Sequence, residues 1–493
     1  MADMIPHAAS PRPRTTLLTI STRLVLNRGV TLVMGIDSST QSCKAVLVDA
    51  ADGTLVDSRA TPHPPGTTVD PRAWSAAVDE ATAGLLERAD AVAVGGQQHG
   101  MVALDDAGTP VRDALLWNDT RSADAAVRLV EEMGGPQACA DAVGSVLVAS
   151  FTSTKLRWLR DAEPEHAAAV RRVLLPHDWV SLHLAAPGSE PWTDRGDASG
   201  TGYCDPATGE WRHDLAAAAL GHEVALPRLV APGEVAATTR AGASIGAGTG
   251  DNMAAALGLG LATGDVLVSI GTSGVASAVS ATPVADGSGV VTGFADAAGG
   301  WLPMVTTMNA AGILDLQATL LGVDHAGLAD LALSAEVGAG GVVLSPYYGG
   351  ERTPNRPGAT GTWTGLRPTT TRADLARAAV EALLCSLAEA VDRLVAETGQ
   401  QPRRVLMVGG ATRSPAVRAL APAFLGHPVV LPPAGEYVAR GAARQAAWAL
   451  SGAEQPPEWA LAGEEQLALD DALAARCADV RAAYADLRDA TTP

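Results

Sequence analysis

Asp251 stands in Gly248-Thr249-Gly250-Asp251-Asn252, a glycine-flanked loop that opens a run of small residues, Met253–Gly258. A carboxylate so placed can accept the proton of an attacking hydroxyl, the general-base step of phosphoryl transfer. A helix N-terminus there would keep it ionised. The plainer role is a helix cap. Asp37 ends an apolar run and enters Ser38-Ser39-Thr40, with Lys44 downstream. A carboxylate beside a phosphate turn can hold Mg²⁺, directly or through water; the plainer role is a turn-capping Asp.

The turn after Asp37 has a counterpart. Val33-Met34-Gly35-Ile36-Asp37-Ser38-Ser39-Thr40 and Leu267-Val268-Ser269-Ile270-Gly271-Thr272-Ser273-Gly274 read alike, half the chain apart. Each is an apolar strand breaking into small hydroxyl and glycine residues, whose N–H and O–H groups are the donors a phosphate needs. Ser39, Thr40, Thr272 and Ser273 are the candidate donors, and two such turns can grip a nucleotide from both sides of a cleft. Gly409-Gly410, after Leu406-Met407-Val408, lets backbone approach a flat ring and suits a nucleoside. Gly96-Gln97-Gln98-His99-Gly100 offers side chains that donate and accept, as a polyhydroxylated ligand requires; a satisfied loop histidine is the alternative. Trp117-Asn118-Asp119 fits a sugar, or a capped helix start with Trp in the core. No P-loop motif occurs, and no dinucleotide fingerprint opens the chain.

Strands are expected at Thr31–Ile36, Lys44–Asp49 and Thr54–Ala60, the last two joined through Asp52-Gly53. A helix over Ala73–Arg88 and a buried strand at Ala91–Val94 follow. The second half repeats the order. Strands are expected at Asp265–Ile270, Val275–Ser280 and Val290–Phe294. A long helix Thr371–Thr398 comes next, capped by Thr371 and Asp374 and stopped by Gly399. At ~1.5 Å per residue it would run roughly 40 Å. Strand Arg404–Val408, helix Pro415–Phe424, strand Val429–Leu431 and helix Glu436–Leu450 complete the unit. Two β-β-β-α-β-α units predict a duplicated α/β fold with a cleft between the copies, where ligands bind.

The domains expected are residues 31–262 and 263–455, with the boundary near Gly260–Asp265. Residues 456–493 are expected to form a helical tail. Residues 1–30 are expected to be a disordered lead-in, or to reflect a translation start placed upstream. The chain has 493 residues and a net charge of −19, a poor match for nucleic acid or an anionic membrane. No apolar stretch approaches bilayer length. Five scattered cysteines without a Cys-x-x-Cys fit reduced thiols in a cytoplasm.

Taken in order, these segments resemble the FGGY family of carbohydrate kinases, from about Thr31 to Leu450. Phe151-Thr152-Ser153-Thr154-Lys155-Leu156, Leu174-Leu175-Pro176-His177-Asp178, Gly350-Glu351-Arg352-Thr353-Pro354 and Gly441-Ala442-Ala443 belong to the same ordered series. The segments are most similar to the family's D-xylulose kinases. The resemblance implies an actin-like, ribonuclease-H-like duplicated fold of two lobes with a central cleft. It implies Asp251 as catalytic base and Gln98, His99, Asp251 and Asn252 around the sugar. Ser39, Thr40 and Thr272 would face the ATP phosphates, Gly409 and Gly410 would border the adenosine, and Asp37 would lie near Mg²⁺. The implied reaction moves the γ-phosphoryl of ATP to the 5-hydroxyl of D-xylulose. The implied lobe closure excludes water, and a homodimer is the assembly the resemblance allows. Two departures stand out: Ser39 where the family more often has Gly, and Ala411 where a third Gly is common. Alternatives are a kinase of ribulose, gluconate or glycerol, of which Asn252 disfavours glycerol, and a non-catalytic sugar or nucleotide sensor on the same fold.

Overall fold

In a computed structural model that describes residues 30–491, the chain builds two lobes, each on a seven-stranded mixed sheet. The expectation for residues 1–30 falls, but for Val30, outside the described residues. The first sheet comprises β1 (Leu32–Ser38), β2 (Ser42–Asp49), β3 (Leu55–Pro62), β4 (Ala91–Gly96), β5 (Ala237–Thr238), β6 (Ser244–Ile245) and β7 (Thr249–Gly250). Strand order is β5-β6-β4-β1-β2-β3, with β7 also paired to β4. β1, β2 and β3 form the expected antiparallel meander, and Gly53 turns with φ +73°. β4 lies parallel to β1 and β7 parallel to β4.

The second sheet comprises β8 (Asp265–Ile270), β9 (Gly274–Ala278), β10 (Thr292–Ala295), β11 (Trp301–Thr307), β12 (Arg404–Val408), β13 (Val429–Leu431) and β14 (Glu465–Leu467). Its order is β10-β11-β9-β8-β12-β13-β14. The parallel pairing of β8 with β12 repeats that of β1 with β4. The neighbour of β9 is not the expected Val290–Phe294 run but β11, a strand the sequence pattern does not announce. Pro303 interrupts the β11 signal; β10 forms the outer edge instead.

Local signals account for most helix ends. α1 (Pro71–Thr82) is capped by Asp70 and stops short of Arg88, because Gly84 takes φ +71°. α2 (Thr152–Ala162), α3 (Pro176–Leu184) and α4 (Asp251–Gly258) carry site residues in the first lobe. α5 (Arg372–Thr398) begins at the Thr371–Asp374 capping box and ends at left-handed Gly399. Its apolar residues form the centre of the second lobe's core with Val268, Ile270 and Met407. α6 (Pro415–Leu425) and α7 (Tyr437–Ser451) follow, and α8 (Asp471–Ala490) closes the chain. The tail holds a strand as well as the expected helix. β14 pairs with β13, and α8 buries Cys477, Tyr484 and Leu487.

α7 packs on the first lobe's sheet although it follows the second lobe's strands. A Cβ on Gly35 would collide with the Ala439 carbonyl, and one on Gly441 with that of Ala254. These glycines let α7 lie backbone to backbone against β1 and α4, and Gly258 does the same beneath Tyr437. Gln445 adds a hydrogen-bonded brace to Gly248, donating to its carbonyl and accepting from its N–H at 3.0 and 2.8 Å.

Candidate active site

Three parallel strands deliver the candidate residues to one edge. Asp37 pairs with Gly95 and Ser38 with Gly96, while Thr249 and Gly250 pair with the same two glycines. Asp37, the Gln97–Gly100 loop and Asp251 therefore leave the sheet side by side at strand C-termini, where α/β sheets bind ligands. A Cβ on Gly96 would strike His177 and one on Gly250 would strike Gln98, so the two loops pack with no room to spare.

Asp251 is half-buried at the start of α4, and its Oδ1 accepts from Asn252 N at 2.8 Å and Asn252 Nδ2 at 3.0 Å. Asn252 Nδ2 also donates to Gln98 Oε1 at 2.9 Å, which leaves Gln98 Nε2 buried without a partner. Burial, with the Asp37 and Asp197 charges, pushes the Asp251 carboxyl up to about 7. Asp37 is buried and its Oδ1 has no partner. Burial raises it to about 6, against the opposing pull of Lys44 and a Ser39 hydrogen bond. Lys44 is itself bound to Glu436 at 2.7 Å, a cross-lobe ion pair.

His99 adopts φ +67°, a left-handed backbone unusual outside glycine and frequent at functional sites. Thr152 Oγ1 donates to its carbonyl at 3.1 Å and Lys155 Nζ at 3.2 Å. The His99 ring packs against Phe151 and Phe294, at centroid distances of 5.1 and 5.6 Å, and the two phenyl rings are themselves 6.0 Å apart; Phe294 comes from β10 of the second lobe. Burial draws the imidazole down to about 3, so it is neutral. Nδ1 lies 2.6 Å from the Gly200 carbonyl, which makes Nδ1 the donor and leaves Nε2 as an acceptor for a ligand hydroxyl.

The phosphate-turn candidates divide between the lobes. Ser39 closes its turn through its N–H to Ser42 O at 3.1 Å. The Thr40 hydroxyl accepts from Trp117 Nε1 at 2.9 Å. In the second lobe, Thr272 and Gly271 are exposed, and their carbonyls accept from Ala310 N and Ala311 N. Gly409, at φ +103°, lies against the Ile270 carbonyl, so Gly409-Gly410 and Thr272 emerge together at the ends of β12 and β8. No hydrogen bond joins the two turns among the described residues.

Trp117 is 45% exposed, not a core residue. Asp119 is buried and is held by Arg121 and Thr67, and its charge is felt at Lys155.

Several groups around the site have no role assigned from sequence, although their motifs stand out there. Lys155 is fully buried beneath the carbonyls of His99, Ala149 and Ser150, and burial draws its amine down to about 7. Behind Gly96 and Gly248, buried His177 contacts Asp197 at 2.7 Å and Asp178 at 3.2 Å, with Asp194 at 4.0 Å. The three carboxylates hold the imidazole above its usual range despite burial. Arg352 approaches from the second lobe. Only its place after Gly350-Glu351 marks it, and no local pattern tells which side chain of a loop enters a cleft.

Known proteins match this chain in sequence and in fold. The N-terminal domain of the FGGY family of carbohydrate kinases matches residues 32–260, and its C-terminal domain matches residues 266–450. The xylulose kinase of Streptomyces coelicolor is 46% identical over 436 residues, 85% of this chain and 88% of that protein. That of Streptomyces rubiginosus is 44% identical over 440 residues, again 85% and 88%. The crystal structure of xylulose kinase from Bifidobacterium adolescentis superimposes with a TM-score of 0.85 at 44% identity, covering 93% of this chain and 99% of that one. With both domains matched in order across two lobes that share one cleft, the chain belongs to the FGGY family of carbohydrate kinases.

Proposed function

We propose that the chain phosphorylates D-xylulose at the 5-hydroxyl with ATP, yielding D-xylulose 5-phosphate and ADP. One observation carries this reading: Asp251, Asn252, Gln98 and neutral His99 converge at one strand edge in a chain 46% identical to a xylulose kinase. Gln98, His99 and Asn252 would orient the sugar through its hydroxyls, with His99 Nε2 accepting. Asp251 takes the proton of the 5-hydroxyl as that oxygen bonds to the γ-phosphorus. The bond from phosphorus to the β–γ bridging oxygen breaks, and ADP leaves. A carboxyl raised to about 7 is poised to act as a base near neutral pH. Ser39, Thr40 and Thr272 would donate to the phosphates, and Gly409-Gly410 would border the adenosine.

The residues fit Mg²⁺. Asp37 offers a buried oxygen without a partner, and among the described residues no group of three or more His, Cys, Asp or Glu could cage a metal alone. Mg²⁺ typically takes one or two carboxylates and completes its shell with water and phosphate oxygens. Asp37 would hold it directly or through water, and the ion would neutralise phosphate charge when bound. Every residue named comes from one chain, so the proposal does not depend on a homodimer. The described cysteines are all free and buried, in keeping with a cytoplasmic enzyme. No described helix is long and apolar enough to cross a membrane.

The test is a coupled ADP assay across pentuloses, hexuloses, gluconate and glycerol. D-xylulose is expected to give the highest kcat/KM. Its placement among the poorest acceptors would refute the specificity.

A further inference from the structure

The Gly350–Pro354 loop of the second lobe is fixed to the segment that follows β11. Buried Glu351 accepts from Met308 N at 2.6 Å, Asn309 N at 3.3 Å and Asn309 Nδ2 at 2.9 Å. It also accepts from Arg352 N at 2.7 Å and Thr353 N at 3.3 Å. Thr353 Oγ1 donates to Thr306 O at 2.8 Å. That same segment braces the second phosphate turn. Thr307 pairs with Gly274, and Ala310 N and Ala311 N donate to the Thr272 and Gly271 carbonyls at 3.1 and 2.9 Å. On its other side β11 pairs with β10, whose Phe294 reaches the His99 ring. The loop is therefore mounted on backbone that connects the phosphate turn with the sugar-side histidine.

Arg352 projects from this mount half-buried, and among the described residues its guanidinium makes no hydrogen bond or ion pair. Glu351, its neighbour, has both oxygens engaged by the backbone and Asn309. Burial draws the guanidinium below its usual range, with the Glu351 charge opposing, and its charge is felt at His99. Of the other cations at the site two are engaged, and exposed Arg413 lies beside Gly410, at the adenosine end rather than the sugar end. Lys44 is paired with Glu436, and Lys155 lies under three carbonyls. A half-buried cation without an anion has given up part of its hydration for no ion pair, and an anionic ligand removes that cost. The remaining charged groups of the cleft, Asp37 and Asp251, repel a phosphoryl group, so its protein counter-charge must come from elsewhere.

We infer that Arg352 is a catalytic residue: with the cleft occupied, its guanidinium contacts the phosphoryl group in flight between ATP and the sugar hydroxyl. The planar fork of donors matches phosphoryl oxygens, and an arginine supplied in cis stabilises charge that is greatest at the transition state. This rests on the kinase reading above.

The experiment compares wild type, Arg352→Ala, Arg352→Lys and Asp251→Ala with D-xylulose, Mg²⁺ and ATP. Arg352→Ala is expected to lower kcat by about 10²–10³-fold, with both KM values nearly unchanged. Arg352→Lys should recover only part of the loss. Added guanidinium at sub-denaturing concentration should partly restore Arg352→Ala but not Asp251→Ala. ATP hydrolysis without ketose should fall in parallel, since the contact is to phosphoryl. A raised ketose KM with kcat and hydrolysis intact would make Arg352 a sugar contact and overturn the inference. Loss of kcat with a lowered Tm and no guanidinium rescue would make its role structural and overturn the inference equally. An Arg352→Ala enzyme as fast as an active wild type sinks this role alone, whereas a wild type inactive on every acceptor sinks the kinase reading as well.

Discussion

The two phosphate turns share a backbone and differ in charge. Each follows the central strand of its sheet, joins antiparallel strands and lies beside a parallel neighbour. Matching Ile36 to Ile270 puts Gly271 in the place of Asp37, and because Ala45 faces Ile36 while Gly274 faces Ile270, Ser273 stands in that of Lys44. The first turn thus carries a buried carboxylate with an open oxygen and a lysine tied across the lobes. The second carries only neutral donors, exposed to the cleft. A duplicated scaffold can supply two sets of N–H and O–H donors, yet a metal and a reacting centre are needed once. Concentrating charge at one turn avoids doubling the desolvation cost of buried carboxylates.

That asymmetry can be broken at either turn. Asp251→Ala, beside the charged turn, should show the largest effect: kcat lower by about 10²–10⁴-fold, with ATP affinity by calorimetry retained. Near-normal turnover would remove the base. Asp37→Asn comes next. Titration of activity with Mg²⁺ should show a requirement raised about 10–100-fold, whereas an unchanged requirement would make the two turns equivalent.

The third prediction concerns pH. With Asp251 near 7, kcat/KM for the ketose should fall about tenfold per unit below neutrality. In Asp37→Asn the acid limb should move to lower pH, because the Asp37 charge helps raise Asp251. Stability follows with a definite sign. Both carboxyls are higher in the folded protein than in the unfolded chain, so their contribution is present at low pH and lost as pH rises through about 6 to 7. Asp251→Asn should therefore raise Tm at pH 8, and the gain should shrink towards pH 5. A constant difference across that range would contradict the shift. The smallest effect belongs to the neutral turn. Thr272→Ala removes one hydroxyl donor and should raise the KM for ATP by roughly tenfold or less, the worth of a single hydrogen bond. A loss comparable to that of Asp37→Asn would erase the contrast.

Local signals define much of this chain. β8, β12 and β13 fall where hydrophobic runs place them, and α5 starts and stops at residues whose side chains and left-handed backbone dictate its ends. The twin turns are legible because a strand breaking into Ser, Thr and Gly is a contiguous pattern. Where local pattern falls short, the cause lies elsewhere in the chain. β11 is a strand because β9 and β10 flank it, despite Pro303. β14 is one because β13 offers an edge.

Residue types and their order along the chain determined by themselves the duplicated α/β architecture and the candidates Asp37, Gln98, His99, Asp251 and Asn252. Only the tertiary structure decided what surrounds them. It brought Gly200 to the His99 ring, Glu436 to Lys44, and Arg352 to the cleft on a loop held by Glu351. Desolvation and through-space charge set protonation states, and both depend on groups that folding gathers from distant parts of the chain.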